Sequence, residues 1–252
     1  MKFKIFSYNV HGLPFIAESW TLPLAKWFHG TDYDCICLQE VFTAGRVSFL
    51  SEGLTAAGYT VIKPNDVSGN FLSSGLITAV RNKWTVVDTL FQAYEAHLGI
   101  EKITNKGFHW LKLKKGTEIV QIVNTHLQAN SVFNIIFATF ITSFEEIRRR
   151  QIAQMLLHLE RCRGNPCFII GDTNAGTEPH ADIRYLTGAR QRIIKHTFES
   201  TGEDLDHVAI VPHLWHLWDV PVVRKISVLH KLWWSDHWPL HVSLTYETSL
   251  KQ

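Results

Sequence analysis

No run of 18 apolar residues occurs anywhere in the 252-residue chain, so no membrane-spanning helix is expected. None of its four cysteines (Cys35, Cys37, Cys162 and Cys167) forms a Cys-x-x-Cys pair, which removes the usual basis for a structural zinc site. Cys35 and Cys37 stand two apart in an apolar run. On a strand they point the same way, as buried residues rather than a bridge. No repeat, low-complexity tract or Pro/Gly/Ser-rich linker divides the chain, and its 15 glycines follow no collagen period. Charge of one sign is scarce too: 25 basic against 23 acidic residues leaves +2, so no polyanionic partner is demanded. With 46% apolar residues, disorder is excluded. The first ten residues hold no apolar core of the length a signal peptide needs. A reducing compartment is expected, cytoplasmic or peripheral to a membrane, or else export by a route that leaves no such signal.

Nine tryptophans and 14 histidines are plentiful for this length, and composition does not account for them. At about 150 residues per domain the chain allows one large domain or two small ones. With no linker, one domain over 1–252 is expected, large enough to bury a core without staples. Strand-like runs cover 3–10, 34–40 and 59–62. A strand pair is expected from Gly75–Arg81 and Trp84–Leu90 around Asn82-Lys83, and a hairpin from Phe108–Leu113 and Glu118–Asn124 around Lys115-Gly116. Further strands fall at Cys167–Ile170, Asp206–Val211, Lys225–Leu229 and Leu240–Thr245. A short helix fits 44–57, stopped by Gly58. A second fits 145–161, where Ile152, Met155, Leu156 and Leu159 form a stripe and Arg148–Arg150 lie outside it. Strands dominate, and several pairs are hairpin-like. This favours an α/β sandwich of two packed sheets covered by helices.

Four of these segments end in polar or ionisable residues, Asn9 before His11, Gln39-Glu40, Asn124-Thr125-His126 and Gly171-Asp172-Thr173-Asn174, and two more polar clusters come late, Asp206-His207 and Ser235-Asp236-His237. Strand ends of this kind converge on one rim of a sandwich. A hard divalent cation needs oxygen ligands such as Glu40, Asn9 and Asp236. Cleavage of a phosphodiester needs charge neutralisation, an oriented water and a proton relay. Taken singly, each residue has a plainer reading as a turn, a cap, a rim charge or a core histidine. Six in this order are much harder to obtain by accident.

The segments Ser7-Tyr8-Asn9-Val10, Leu38-Gln39-Glu40-Val41, Asn124-Thr125-His126-Leu127, Ile170-Gly171-Asp172-x-Asn174, Leu205-Asp206-x-Val208 and Ser235-Asp236-His237-x-Pro239-Leu240 resemble the endonuclease/exonuclease/phosphatase superfamily, the deoxyribonuclease-I-like fold. The resemblance implies a four-layer αββα sandwich of two mixed sheets flanked by helices, and Mg2+-dependent cleavage of a phosphate ester, with Mn2+ as a stand-in cation. It implies Glu40 as principal metal ligand, Asn9 as a second ligand or water-holding group, and Asp236 as a residue near the metal. It further implies that His126 contacts the scissile phosphate, that Asp172 orients or deprotonates the attacking water, and that Asn174 holds phosphate oxygens. His237 would be the catalytic imidazole and Asp206 the carboxylate that orients it. Which of Asp172 and His237 is the base stays open.

Asn-Thr-His-Leu-Gln-Ala at 124–129 and Asn105-Lys106-Gly107 look like the neutral sphingomyelinase branch. The expected partner is therefore a phospholipid at a membrane surface. A nuclease on DNA or RNA and an inositol-phosphate phosphatase are the alternatives, and a non-catalytic module is disfavoured because no catalytic position is lost. Residues 131–144, with four Phe and three Ile, read either as a core helix or as an interfacial element dipping into lipid. Trp215, Trp218, Trp233, Trp234 and Trp238 read as core packing or as an interfacial or stacking surface. Arg148–Arg150 reads as a solvated helix face.

Overall fold

The computed structural model describes residues 1–12, 21–64, 72–130, 143–160, 164–175, 183–185, 204–215, 222–229 and 235–245. The apolar stretch at 131–142, Cys162, Trp218, Trp233 and Trp234 lie outside them. In chain order the elements are β1 (Lys2–Asn9), α1 (Thr21–Phe28), β2 (Cys35–Gln39), α2 (Ala44–Ala56), β3 (Tyr59–Ile62), β4 (Ile77–Arg81), β5 (Thr85–Ala93), β6 (Gly107–Lys115), β7 (Glu118–His126), α3 (Phe144–Leu159), β8 (Cys167–Asp172), β9 (Arg184–Tyr185), β10 (Asp206–Ile210), β11 (Val222–Val228) and β12 (Leu240–Thr245).

Two six-stranded sheets form, ordered β11-β12-β1-β2-β4-β3 and β5-β6-β7-β8-β10-β9. Each contains one parallel pair, β1 with β2 and β7 with β8; the other neighbours run antiparallel. Phe6, Tyr8, Ile36 and Leu38 face Leu24, Phe28, Leu50 and Leu54 of α1 and α2. On the far side, Ile152, Met155 and Leu159 of α3 join the core of the second sheet. The result is the four-layer αββα arrangement.

Local chemistry explains most of the elements. Ser143 caps α3, its Oγ accepting from Glu146 N–H at 3.1 Å, and Glu145 and Glu146 fill the positive first turn. Arg149 and Arg150 pair with Glu145 and Glu146 on the exposed face. Arg148 does not share that face. It is buried, and its Nη1 donates to Gln128 O and Asn130 Oδ1 at 3.2 and 2.6 Å, so the three arginines are not one solvated patch. Cys35 and Cys37 are buried free thiols with Sγ atoms 3.8 Å apart.

The β6–β7 hairpin forms with Lys115 opposite Glu118. The expected pairing of Gly75–Arg81 with Trp84–Leu90 does not. β4 pairs with β2 and β3, whereas β5 pairs with β6 in the other sheet. Trp84 makes the crossing. Its ring packs edge-on against Phe3 at 5.2 Å, and its Nε1 donates to buried Asp34 at 2.9 Å. A tryptophan whose ring and N–H are both satisfied between layers fixes the chain there more firmly than a two-residue turn could.

The inner faces carry the plan of the site. On β1 the inward row runs Phe3, Ile5, Ser7, Asn9, and on β2 it runs Cys35, Cys37, Gln39. On the opposing sheet, β7 presents Val120, Ile122, Asn124 and His126, and β8 presents Phe168, Ile170 and Asp172. Every row is apolar at its start and polar at the C-terminal end of its strand. The polar ends meet across the layers. Gln39 Nε2 donates to Asn124 Oδ1 at 2.8 Å, and Asn124 Nδ2 donates to Leu38 O and Ile77 O at 3.2 and 3.0 Å, all fully buried. His109 of β6 completes the seam, with Nδ1 3.1 Å from Thr78 Oγ1 of β4 and Nε2 3.0 Å from Thr89 Oγ1 of β5.

Burial pushes His109 down from 6.5 to about 4. Its neutral form therefore supports the fold fully above pH 6.5, and that support is lost as pH falls toward 4, where the unfolded chain takes up the proton first. Between pH 7 and 5 the loss is about 2 kcal/mol. Chemical denaturation at the two pH values is expected to show a difference smaller by about that amount in His109→Gln.

Candidate active site

Three strands of the described residues end in a non-glycine residue with left-handed backbone just beyond the last strand position: His11 after β1 (φ 49°), Glu40 after β2 (φ 60°) and Asn174 after β8 (φ 49°). Such geometry costs about 1 kcal/mol or more each and persists only where surrounding contacts hold it. Here it turns the chain at the polar ends of the inner rows. Two glycines make room nearby. A Cβ on Gly171 would sit 2.0 Å from Thr125 O, and one on Gly12 2.2 Å from Glu40 O.

The expected residues gather around one atom. Asp172 Oδ2 accepts from Asn9 Nδ2 at 2.8 Å, across the two sheets. It also lies 3.6 Å from His126 Nε2 and 3.7 Å from His237 Nε2. Asp172 Oδ1 accepts from Asn174 N–H at 2.9 Å. His237 Nδ1 is 2.7 Å from Asp206 Oδ2. Register sets this last contact: β10 pairs antiparallel with β8, Asp206 directly opposite Asp172. On the other side, Asn9 Nδ2 also donates to Glu40 Oε1 at 3.0 Å, and His126 Nε2 is 3.8 Å from the same oxygen.

Burial and neighbouring charge give these groups distinct states. Burial raises Asp172 to about 7, with Asp206 adding to the effect against the pull of His237 and the Asn9 hydrogen bond. Burial alone would lower His237, but Asp206 and Asp172 overturn it and hold the imidazolium to about 10. His126 goes the other way. Burial, with Lys106 and His237 as cationic neighbours, drives it well below 6.5, so it is a neutral imidazole. The site therefore places one cationic and one neutral histidine beside the same carboxylate oxygen.

The ligand atoms of Glu40, His126 and Asp172 lie within 4.8 Å of one another, as do those of Asp172, Asp206 and His237. Glu40 Oε2 is buried with no donor among the described residues. A buried acceptor beside two further ligand atoms fits a hard divalent cation. Two of the expected ligands stand differently. Asn9 faces the carboxylates with its Nδ2, while its Oδ1 accepts from His11 N–H at 3.0 Å. Asp236 is in neither cluster; its Oδ1 lies 3.3 Å from His11 Nδ1. Asn174 Nδ2 donates to Leu127 O at 3.2 Å rather than standing free.

Glu101, beside the site, carried no signal of its own in the sequence. Lys106 Nζ donates to Glu101 Oε1 at 2.8 Å and to Leu127 O at 3.3 Å, both side chains buried. Glu101 Oε1 also accepts from Ala129 N–H at 3.1 Å. Together they fix the strand exit that bears His126. Lys106 stood in a short Lys-Gly element, but nothing in the spacing announced its carboxylate partner. Removing the Asp206 charge tests the electrostatics directly. In Asp206→Asn the His237 midpoint, followed by imidazole NMR, is expected to fall from about 10 to below about 9.

Three comparisons bear on this arrangement. A 51-residue stretch, 20% of this chain, is 35% identical to Sphingomyelinase C of Bacillus cereus; the match spans 15% of that relative's length. The beta toxin of Staphylococcus aureus, in a double mutant with bound magnesium ions, superposes with a TM-score of 0.77 at 14% identity, over 96% of this chain and 99% of that one. D. rerio TDP2 complexed with single-strand DNA product superposes at 0.73 and 13% identity, over 97% and 99%. At such identities the superpositions speak for the αββα fold. Sequence carries the rest of the argument: the family pattern runs through residues 6–237, from the β1 strand that ends in Asn9 to His237 itself, and the chain belongs to the Endonuclease/Exonuclease/phosphatase family.

Proposed function

We propose that the protein is a Mg2+-dependent phosphodiesterase, one catalytic domain over 1–252, that cleaves a phospholipid at a membrane surface and releases the phosphorylated head group. Sphingomyelin is the first candidate substrate. The observation that carries the reading is the buried Asp172 carboxylate, with Oδ2 within 3.7 Å of both His126 and His237 and His237 backed by Asp206. The stretch of 35% identity to Sphingomyelinase C supports the lipid over a nucleic acid, as does a net charge of only +2, since phosphate contacts supply most nonspecific nucleic-acid affinity.

Each side chain then has a task. Asp172, raised by burial, accepts the proton of the attacking water, which Asn9 Nδ2 and Asn174 N–H help to place by fixing the carboxylate's rotation. His237, kept as imidazolium by Asp206, puts positive charge against the developing phosphorane and can protonate the departing oxygen. His126, neutral, offers an N–H to a phosphate oxygen without adding charge. Asn174 steadies the loop that bears the phosphate. Glu40 is the principal ligand for the divalent cation, and Asn9 ties that carboxylate to Asp172. When bound, Mg2+ neutralises phosphate charge and polarises the phosphoryl oxygens; Mn2+ serves as its stand-in.

Purified protein with Mg2+ is incubated with sphingomyelin liposomes, phosphatidylcholine, phosphoinositides, plasmid DNA and RNA. Phosphocholine release from sphingomyelin is the expected outcome. DNA or RNA cleavage without lipid turnover would move the substrate to nucleic acid, and phosphate release from phosphoinositides would move it to a phosphatase. Asp172→Asn and His237→Ala are each expected to cut turnover at least ~100-fold with the thermal transition retained, the scale of one lost acid–base group; near-normal turnover would remove the site. EDTA is expected to abolish activity and Mg2+ to restore it, whereas chelator-resistant turnover would count against the role of Glu40.

A further inference from the structure

The polar row of β1 does not end at Asn9. Two residues on, His11 turns left-handed, and the chain there touches the loop that carries His237 at more than one point. His11 Nδ1 lies 3.3 Å from Asp236 Oδ1, and the two side chains are 35% and 36% exposed. Ser235 Oγ–H points to Asn9 O at 2.7 Å, with Asp236 Oδ1 3.2 Å away, and Ser235 Oγ accepts from His237 N–H at 3.1 Å. On the β1 side, His11 N–H donates to Asn9 Oδ1. That bond decides which end of the Asn9 amide faces Glu40 and Asp172.

We propose that His11, Asp236 and Ser235 form a clasp that positions His237 and Asn9 relative to each other, and that Asp236 acts through this clasp rather than as a cation ligand. Geometry argues for it in three ways. Asp236 shares a carboxylate oxygen with His11 and Ser235, and belongs to neither ligand cluster around Asp172. The left-handed backbone of His11 (φ 49°) is uncommon outside glycine, and contacts at both ends of the residue hold it there. Finally, the clasp joins the strand bearing Asn9 to a loop separated from it by more than two hundred residues, beyond the point where the β1–β12 register ends at Ser7 opposite Leu240. Strand β12, which follows the loop, pairs with β1 only from Ser7 downward. Beyond that register, Val10 N–H donates to Gln39 O at 3.1 Å on the β1 side, and Ser235 and His11 tie the loop to it.

The inference rests on the proposed phosphodiesterase reading for its rate readout, but two of its three measurements do not. His11→Gly keeps the backbone conformation available and removes the imidazole. Asp236→Asn keeps the shape and removes the charge. The single and double variants are compared by Mn2+ affinity from electron paramagnetic resonance, by the His237 imidazole NMR signals, and by kcat and KM at saturating Mg2+. Glu40→Gln is the control that should weaken Mn2+ binding. The clasp predicts Mn2+ affinity within about twofold of the parent in both singles and a displaced His237 signal in both. It also predicts kcat lower by roughly ten- to hundredfold with KM little changed, the scale of a misplaced group, and a double variant no worse than the worse single. A tenfold loss of Mn2+ affinity in Asp236→Asn alone would make it a ligand and overturn the proposal. So would an unmoved His237 signal, or losses in kcat that multiply. His11→Asn, another residue that tolerates the left-handed region, repeats the comparison should His11→Gly fail to fold. If the parent turns over no substrate, the functional reading falls, and the Mn2+ and NMR results still decide the clasp.

Discussion

The hydrogen bond from Asn9 Nδ2 to Asp172 Oδ2 is the contact on which both the fold and the chemistry depend. It joins β1 of one sheet to β8 of the other in the interior, where a carboxylate is costly unless donors meet it. The two sheets must therefore approach in one registry, or Asp172 loses its partner. The same registry brings Glu40 to the other side of the amide and His237, through Asp206, to the other side of the carboxylate. A site held this way is assembled from strand ends of both sheets and needs few loops to set its geometry.

The polar seam behind it serves the same end. Gln39 with Asn124, and His109 with Thr78 and Thr89, satisfy one another across the layers. An apolar interface would tolerate sliding. A seam of directional bonds does not, because each slip would strand buried donors and acceptors. Stability is thereby linked to the precision of the rim: the apolar starts of the inner rows supply burial, and their polar ends supply register.

Much of this was legible in the residues. Apolar runs ending in polar or ionisable residues marked β1, β2, β7 and β8. Lys115-Gly116 marked the hairpin, and the stripe of Ile152, Met155, Leu156 and Leu159 marked α3. All eight expected site residues lie among the described ones, and four of them, Asn9, His126, Asn174 and His237, lie within 3.7 Å of the Asp172 carboxylate. What could not be read depends on layers rather than on neighbours in sequence. Helix α1 is eight residues long with Pro23 in its first turn, where missing N–H groups cost nothing but a propensity reading sees a breaker. The jump from β4 to β5 is decided by the Trp84 contacts with Phe3 and Asp34, both distant in the chain. Arg148 looks like its neighbours Arg149 and Arg150, yet it faces inward because the carbonyl of Gln128 and the side chain of Asn130 await it. The pairing of Asp236 with His11 is equally invisible, since it joins segments 225 positions apart.

The family shares a fold among many substrates, and fold alone does not choose among them. In the proposed chemical step, a water held at Asp172 attacks phosphorus while His237 attends the departing oxygen. Turnover of sphingomyelin in oxygen-18-labelled water, followed by mass spectrometry of both products, tests that step most directly. The account predicts one heavy oxygen in the released phosphorylated head group and none in the lipid alcohol. Label in the alcohol would mean carbon–oxygen cleavage and would contradict attack on phosphorus by a water held at Asp172.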